Sequence, residues 1–343
     1  MHMADALLSP AVGATMCALS ASAVVYSVTK IKKDDLCEKK VPVMGVMGAF
    51  VFAAQMINFT IPATGSSGHI GGGILLAAVL GGPPAFLSIA AVLIIQCLFF
   101  ADGGLLALGC NIFNLGVIPC LIIYPLLFKP FIKKNKTEGR MTIASIIAVV
   151  VGLQLGSFCV VLQTLLSGIT ELPFTTFVVL MQPIHLAIGV IEGIVTAAIL
   201  VFVYKMRPEI IESTFERTAI KSGVPMRNIL ISLAVITLLV GGALSLFASS
   251  YPDGLEWSME KTAGTMEFEV KGAVMEGVES IQESIAFMPD YDFKNAGEES
   301  SVIGTTVAGI VGGAFTFLLA GVSAFVISRI KKNRRVNEES QQS

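Results

Sequence analysis

Residues 175–204 read TTFVVLMQPIHLAIGVIEGIVTAAILVFVY, thirty consecutive positions with one formal charge, Glu192. As a helix this run is about 45 Å long, longer than the roughly 30 Å hydrocarbon core of a bilayer. Eight more apolar runs share its character, at 5–29, 41–60, 70–82, 84–100, 104–128, 141–167, 228–249 and 302–328. The run 70–82 is short and reads equally as half of a hairpin. Hydrophobic residues make up 54% of the 343 positions and charged residues 14%, with a mean hydropathy of +0.78. Such a composition excludes a water-soluble enzyme. Lipid tolerates no unpaired backbone, so the runs are expected to be helices. The expectation is an all-α integral membrane protein of about nine transmembrane helices.

The order of runs divides the chain. Spans one to seven, residues 1–205, form a first domain with short loops; 206–227 is a polar cytoplasmic linker or short surface helix. Residues 228–330 form a second domain, two spans flanking an outer segment with twelve acids and three lysines; 331–343 is a basic and polar tail expected to be disordered. The first run carries Asp5 and lacks a basic head, so it does not read as a removable signal peptide. Basic residues fall five each at 30–40, 129–140, 205–227 and 329–335, while Lys261, Lys271 and Lys294 fall on the other side. This bias places those four stretches in the cytoplasm, the N-terminus outside and the C-terminus inside a cell membrane crossed many times.

Six cysteines lie in or beside apolar runs with no Cys-x-x-Cys pairing, and read as packing residues. No Gly-x-x-x-x-Gly-Lys-Ser/Thr loop is present, so any ATP-driven motor belongs to another subunit. Ala14, Ala18 and Ser22 place small residues at fourfold spacing on span one, a face for close helix packing, internal or with a partner.

Chemistry concentrates at the N-terminus, Met1-His2-Met3-Ala4-Asp5. Methionine trimming needs a small second residue, so His2 is expected to keep Met1 in place. The α-amine of Met1, the amide of His2 and its imidazole then close a five- and a six-membered chelate ring in one plane, suiting Ni(II) or Cu(II) better than Zn(II) or Mg(II). The fourth corner falls to His69 in Ala63-Thr64-Gly65-Ser66-Ser67-Gly68-His69-Ile70-Gly71-Gly72-Gly73, where glycines permit close approach on the same side of the membrane. A plain loop histidine is the competing reading. His185 and Glu192 share one face of span seven, where an orienting hydrogen bond to the site competes with a structural helix-to-helix bond. Asp102, Asn111 and Asn114 are candidates for holding the outer loops. Asp253 and Glu256 resemble ligands for a hard cation, but nothing nearby in sequence completes such a set.

These motifs match a family. Met1 to Pro10, the loop Gly65 to Gly73, Phe99-Phe100-Ala101-Asp102-Gly103-Gly104-Leu105 running on to Gly109-Cys110-Asn111-Ile112-Phe113-Asn114, and His185 with Gly189 and Glu192 resemble the substrate-capture subunit of energy-coupling-factor nickel and cobalt transporters. Pro252-Asp253-Gly254-Leu255-Glu256 and Pro289-Asp290-Tyr291 resemble the small accessory subunit of the nickel branch, so nearly the whole chain looks like a fusion of the two. The resemblance implies a planar four-nitrogen metal site from Met1, His2 and His69. It also implies a transmembrane coupling subunit and cytoplasmic ATP-binding-cassette ATPases as partners. Met3 and Ala4 replace the commoner Ile and Pro or Met, and Ala6 replaces Gly, which touches the path of the N-terminal strand rather than the ligands.

The expected function is Ni(II) uptake, with cobalt uptake for corrinoid synthesis as the alternative. A metal-binding membrane sensor without transport and an ion-driven carrier are the competing classes, and apart from Glu192 the spans offer almost none of the acids a carrier needs. The metal is cargo; no resident cofactor, catalytic residue or nucleic-acid partner is expected, and lipid is the surrounding medium.

Overall fold

The computed structural model describes all residues except 34–36, 134, 171, 217–225, 243, 267, 271, 295–300 and 343. The chain enters through a short 3-10 turn, Asp5–Leu7, and then α1, Pro10–Lys33. Ser9 and Pro10 start α1 as their chemistry dictates: proline fits the first helical turn, and the Ser9 hydroxyl accepts from the Val12 amide at 3.5 Å. After α2 (Cys37–Gln55), β1 (Phe59–Ile61) and β2 (Ser66–Gly68) form an antiparallel hairpin pairing Phe59 with Gly68, Thr60 with Ser67 and Ile61 with Ser66. Then follow α3 (Gly73–Leu80), α4 (Gly82–Phe100), α5 (Leu108–Ile112), a π-helical run Phe113–Phe128, α6 (Lys129–Lys133), α7 (Glu138–Ser167) and α8 (Phe174–Met206). Pro119 and Pro125 lie inside the π-helical run. Each removes an N–H donor, which disfavours the ordinary ladder there. The remainder is α9 (Pro208–Glu216), α10 (Met226–Gly242), α11 (Gly254–Ala263), α12 (Ala273–Ile285) and α13 (Ser301–Gln342), with 3-10 turns at Leu244–Phe247 and Pro289–Tyr291.

The fold is all-helical and multi-pass, and six of the nine expected spans meet the length and composition of a membrane crossing. All nine apolar runs contain helix, yet among the described residues six stretches have the length and composition to cross a membrane: Pro10–Lys32, Gly82–Phe100, Leu108–Lys133, Glu138–Ser167, Phe174–Met206 and Ile303–Ile330. In α2 the apolar part is only Pro42–Gln55, and α10 has 17 residues. The run 70–82 contributes α3, whose eight residues are all buried. At about 12 Å it is enclosed by protein rather than lipid. Apolarity in this chain therefore marks two different surroundings, which hydropathy alone does not separate.

Helix α8 shows the separation within one element. It buries Phe177, Met181, His185, Ile188 and Glu192 at spacings of three and four, and exposes Val179, Leu186, Val190, Ile194 and Phe202. The first set faces the bundle and the second faces lipid. On α1 the close contact is made by Gly109, where a side-chain carbon would lie 2.3 Å from the Cys17 amide, and by Ser20, whose hydroxyl donates to the Gly109 carbonyl at 2.6 Å. Ala14, Ala18 and Ser22 are exposed, so the described residues leave that stripe uncovered.

The second domain leans on α2 through α10 and α13. Residues 206–227 were expected as a linker. Their first part is α9, docked by buried Ile211 and by Thr214 donating to the Val79 carbonyl at 2.6 Å; 217–225 lie outside the described residues. Residues 331–342, expected to be disordered, continue α13. Lys, Arg, Glu and Gln are good helix formers, and an established helix propagates through them more readily than it nucleates. Cys17, Cys97, Cys110, Cys120 and Cys159 are free thiols.

Candidate metal site

The first eight residues tuck into the bundle instead of extending from it. Met3 is fully buried and bridged on both sides: its amide donates to Asn111 Oδ1 at 2.8 Å, while its carbonyl accepts from Asn111 Nδ2 at 3.2 Å and the Gly104 amide at 2.9 Å. Asp5 Oδ1 accepts from the Ala107 amide at 2.8 Å. Beneath Met3, Asn114 and Gln163 exchange two amide hydrogen bonds, 2.8 and 3.0 Å. Asn111 and Asn114 thus hold the N-terminal strand itself rather than outer loops. A strand without partners of its own kind borrows them from side-chain amides.

The second arm is the hairpin. One residue beyond β2 stands His69, and Gly68 before it lies so near α8 that a side-chain carbon there would come within 2.6 Å of Ile188. Beyond it the Gly72 amide donates to Glu192 Oε1 at 3.0 Å, and the Gly71 carbonyl accepts from Gln55 Nε2 at 2.9 Å. Glu192 therefore anchors the His69 loop. These contacts bring the two arms together: the His2 and His69 rings stack with centroids 5.3 Å apart and planes 4° from parallel.

All three histidines present Nδ1 to an oxygen. His2 Nδ1 lies 3.0 Å from Asp102 Oδ1, His69 Nδ1 lies 3.3 Å from the Ile70 carbonyl, and His185 Nδ1 lies 2.8 Å from the Met181 carbonyl. The two carbonyls require the hydrogen on Nδ1, so the neutral rings of His69 and His185 carry their lone pair on Nε2. Burial, then repulsion from the Met1 ammonium and from His2, pushes the His69 pKa down to about 3, with Asp253 and Asp102 pulling weakly the other way. His69 is therefore neutral and ligand-competent at any ordinary pH. The six-membered chelate ring expected from the sequence needs His2 Nδ1, the nitrogen now on Asp102. Closing that ring exchanges the Asp102 contact for the metal.

Two carboxylates flank the donors. Asp253 makes a short ion pair with the Met1 amine, its side chain 15% exposed. The same carboxylate caps α11, Oδ1 accepting from the amides of Leu255 at 2.7 Å and Glu256 at 2.9 Å, while Glu256 Oε2 returns a bond to the Asp253 amide at 2.9 Å. Asp-x-x-Glu is thus a capping box. Burial pushes the Asp253 carboxyl up, but the Met1 ammonium, its hydrogen bond and the Glu256 amide together hold it well below the usual carboxylate range. Asp102, bonded by His2 and by the Tyr291 hydroxyl, is likewise held low against its burial. The outer segment docks by Ser67 donating to the Pro252 carbonyl at 2.8 Å and Trp257 Nε1 donating to the Thr64 carbonyl at 3.0 Å.

Met1, His69, His185, Asp253 and Gly254 help to wall a cavity of about 10 Å³, room for one water-sized occupant. Among the described residues no group of three or more His, Cys, Asp or Glu side chains is set to hold a metal; the donor set here relies on main-chain nitrogens. Sequence reasoning placed Met1, His2 and His69 but missed Asp253 and Tyr291 as neighbours of the site. Their motifs were visible, whereas their partners lie 252 and 189 residues away.

Residues 2–210 match the model of the cobalt uptake substrate-specific transmembrane region, CbiM, and residues 227–329 match the PDGLE domain. A putative metal transport protein of Haloquadratum walsbyi is 33% identical over 66% of this chain and 100% of its own length. A putative fused nickel transport protein of Archaeoglobus fulgidus is 28% identical over 91% of this chain and 94% of its own. A putative cobalt transport protein of Methanocaldococcus jannaschii is 29% identical over 62% and 90%. Among solved structures, a truncated transition metal transporter superposes with a TM-score of 0.53 at 27% identity, covering 60% of this chain and 99% of that one. The chain belongs to the CbiM family of cobalt-uptake substrate-specific transmembrane proteins, with a PDGLE domain joined to its C-terminal side.

Proposed function

We propose that this chain is the substrate-binding component of an energy-coupling-factor transporter, taking Ni(II) from outside the cell and delivering it inward. It is a transport component and not an enzyme. Capture uses the Met1 amine, the His2 amide and imidazole, and the His69 imidazole. Asn111, Asn114 and Glu192 position these arms, and Asp102 and Asp253 hold the donors until the ion arrives. The observation that carries the reading is the parallel stack of His2 on His69, two residues 67 positions apart in the chain, with the amine held by Asp253.

Nickel is preferred because a planar nitrogen set favours a d8 ion, and because relatives that share the fused arrangement are named as nickel transport proteins. Cobalt is the second reading, favoured by the description of the matching family and by relatives named as cobalt transport proteins. The partners on this reading are a transmembrane coupling subunit and cytoplasmic ATP-binding-cassette ATPases, with the N-terminus outside and the C-terminus in the cytoplasm. Uptake of radiolabelled nickel by cells producing this chain with candidate coupling and ATPase subunits tests the proposal. Uptake that needs all components and is competed poorly by Co(II) supports it. Uptake preferring Co(II) moves the substrate to cobalt, and metal binding without any flux points to the sensor.

A further inference from the structure

We propose that His185 meets the captured ion as an axial donor, through Nε2, and so sets how the site discriminates among divalent cations. The inference rests on the capture reading above and goes beyond its planar set of four nitrogens.

Three observations converge on this residue. The first is its tautomer: His185 gives its Nδ1 hydrogen to the Met181 carbonyl at 2.8 Å, one turn back on α8. Its Nε2 is buried with no hydrogen-bond partner among the described residues, on a residue 1% exposed. A histidine that ligates a metal is held in this way, with its other nitrogen donating to a backbone carbonyl. The second is position, since His185 walls the same cavity as Met1 and His69. At about 10 Å³ that cavity holds one small occupant within reach of all its walls. The third is the care with which the surroundings keep the ring in place. A side-chain carbon at Gly254 would lie 3.0 Å from His185 Cε1 and 3.3 Å from Nε2, so the accessory domain presents a glycine there. One turn along α8, Ile188 fills the space left by Gly68 and fixes the His69 loop against the same helix face.

The chemistry follows from the electron count of the ion. Planar low-spin Ni(II) gains little from an axial donor, whereas Co(II) and Cu(II) readily accept a fifth ligand. His185 therefore lifts Co(II) relative to Ni(II) in a site whose plane favours nickel. No proton has to leave Nε2, because the lone pair is already free.

The test uses the full-length protein with its native N-terminus, tagged after Ser343, and the variants His185→Gln and His185→Leu. Competitive titration with Ni(II) and Co(II) is expected to show Ni(II) affinity within about threefold of the parent and Co(II) affinity lower by about tenfold or more. Electron paramagnetic resonance of the Cu(II)-loaded protein is expected to lose the signature of an axial nitrogen in both variants. Equal losses for both ions, or no change with an unaltered Cu(II) spectrum, would overturn the proposal. Should both variants fail to fold, pulsed resonance on the Cu(II)-loaded parent with nitrogen-15 histidine decides: finding no axial imidazole refutes the inference. A parent that binds none of the three ions removes the capture reading itself, whereas tight binding indifferent to His185 removes only this one.

Discussion

Met1–Leu8 and Tyr251–Ala263 meet over the candidate metal site, and they are built on opposite plans. The first segment leads into the 3-10 turn Asp5–Leu7, is held by side-chain amides and loop N–H groups, and on the proposed reading offers nitrogen donors. The second is a capped helix start at the protein surface, and it offers one carboxylate, already engaged with the amine. Donors come from the segment that is fixed, and counter-charge from the segment that docks. On the proposed reading the Asp253 carboxylate is a holder of the amine and not a ligand.

The largest effect separates donor from holder. His69→Ala is expected to weaken Ni(II) binding by about 1,000-fold, given that even the outer partners of ligating histidines are worth about 10–100-fold. Calorimetric titration checks it, and retention of near-native affinity would move His69 out of the ligand set. On the holding side, Asp253→Ala removes one partner of a buried pair and a helix cap together, with an expected loss of about 3 kcal/mol. Asp253→Asn keeps the cap and is expected to lose less, so melting both variants in detergent divides the cap from the charge.

Acidity acts on metal affinity chiefly through the donor segment. The amine and amide must shed protons to bind metal, so affinity rises with pH, by up to about two decades per unit. His69, with its pKa near 3, adds no proton to that count. Its folded pKa lies below the ordinary 6.5, so the folded state binds fewer protons between those values and stability falls as pH drops through that window. A binding curve flat from pH 6 to 8 would refute the amine–amide chelate.

Smaller effects concern docking. Gly68→Ala forces a carbon against Ile188 and is expected to cost about 2 kcal/mol, relieved in large part by adding Ile188→Ala. Tyr291→Phe removes a hydrogen bond to the charged Asp102, an expected loss of about 1.5 kcal/mol, with the His2 ring less restrained in nuclear magnetic resonance spectra. If Tyr291→Phe matches Asp253→Ala in cost, the two outer motifs contribute equally and the amine pair is not the principal tie.

The sequence told the two plans apart unequally. Donor chemistry is local: an amine, an amide and an imidazole in two residues form chelate rings whatever surrounds them, and His69 announces itself by its glycines. Helicity and membrane character were legible for the same reason, in apolar runs such as 175–204 that are long enough to cross a bilayer. The failures are non-local. Nothing in Gly73–Leu80 distinguishes a buried eight-residue helix from a short span, because protein and lipid ask for the same side chains. Asp253 and Tyr291 have recognisable turn motifs, yet their pairing with Met1 and Asp102 arises only when α10 and α13 settle on α2.

The central claim is that the amine of Met1 is a ligand, and one comparison tests it directly. Ni(II) binding is measured on the protein with its native N-terminus, tagged only after Ser343, and on the same protein with one glycine added before Met1. The account predicts one Ni(II) per native chain, diamagnetic and planar, with proton release, and loss of that species in the extended chain. Equal affinity and an identical spectrum in the two proteins would contradict it.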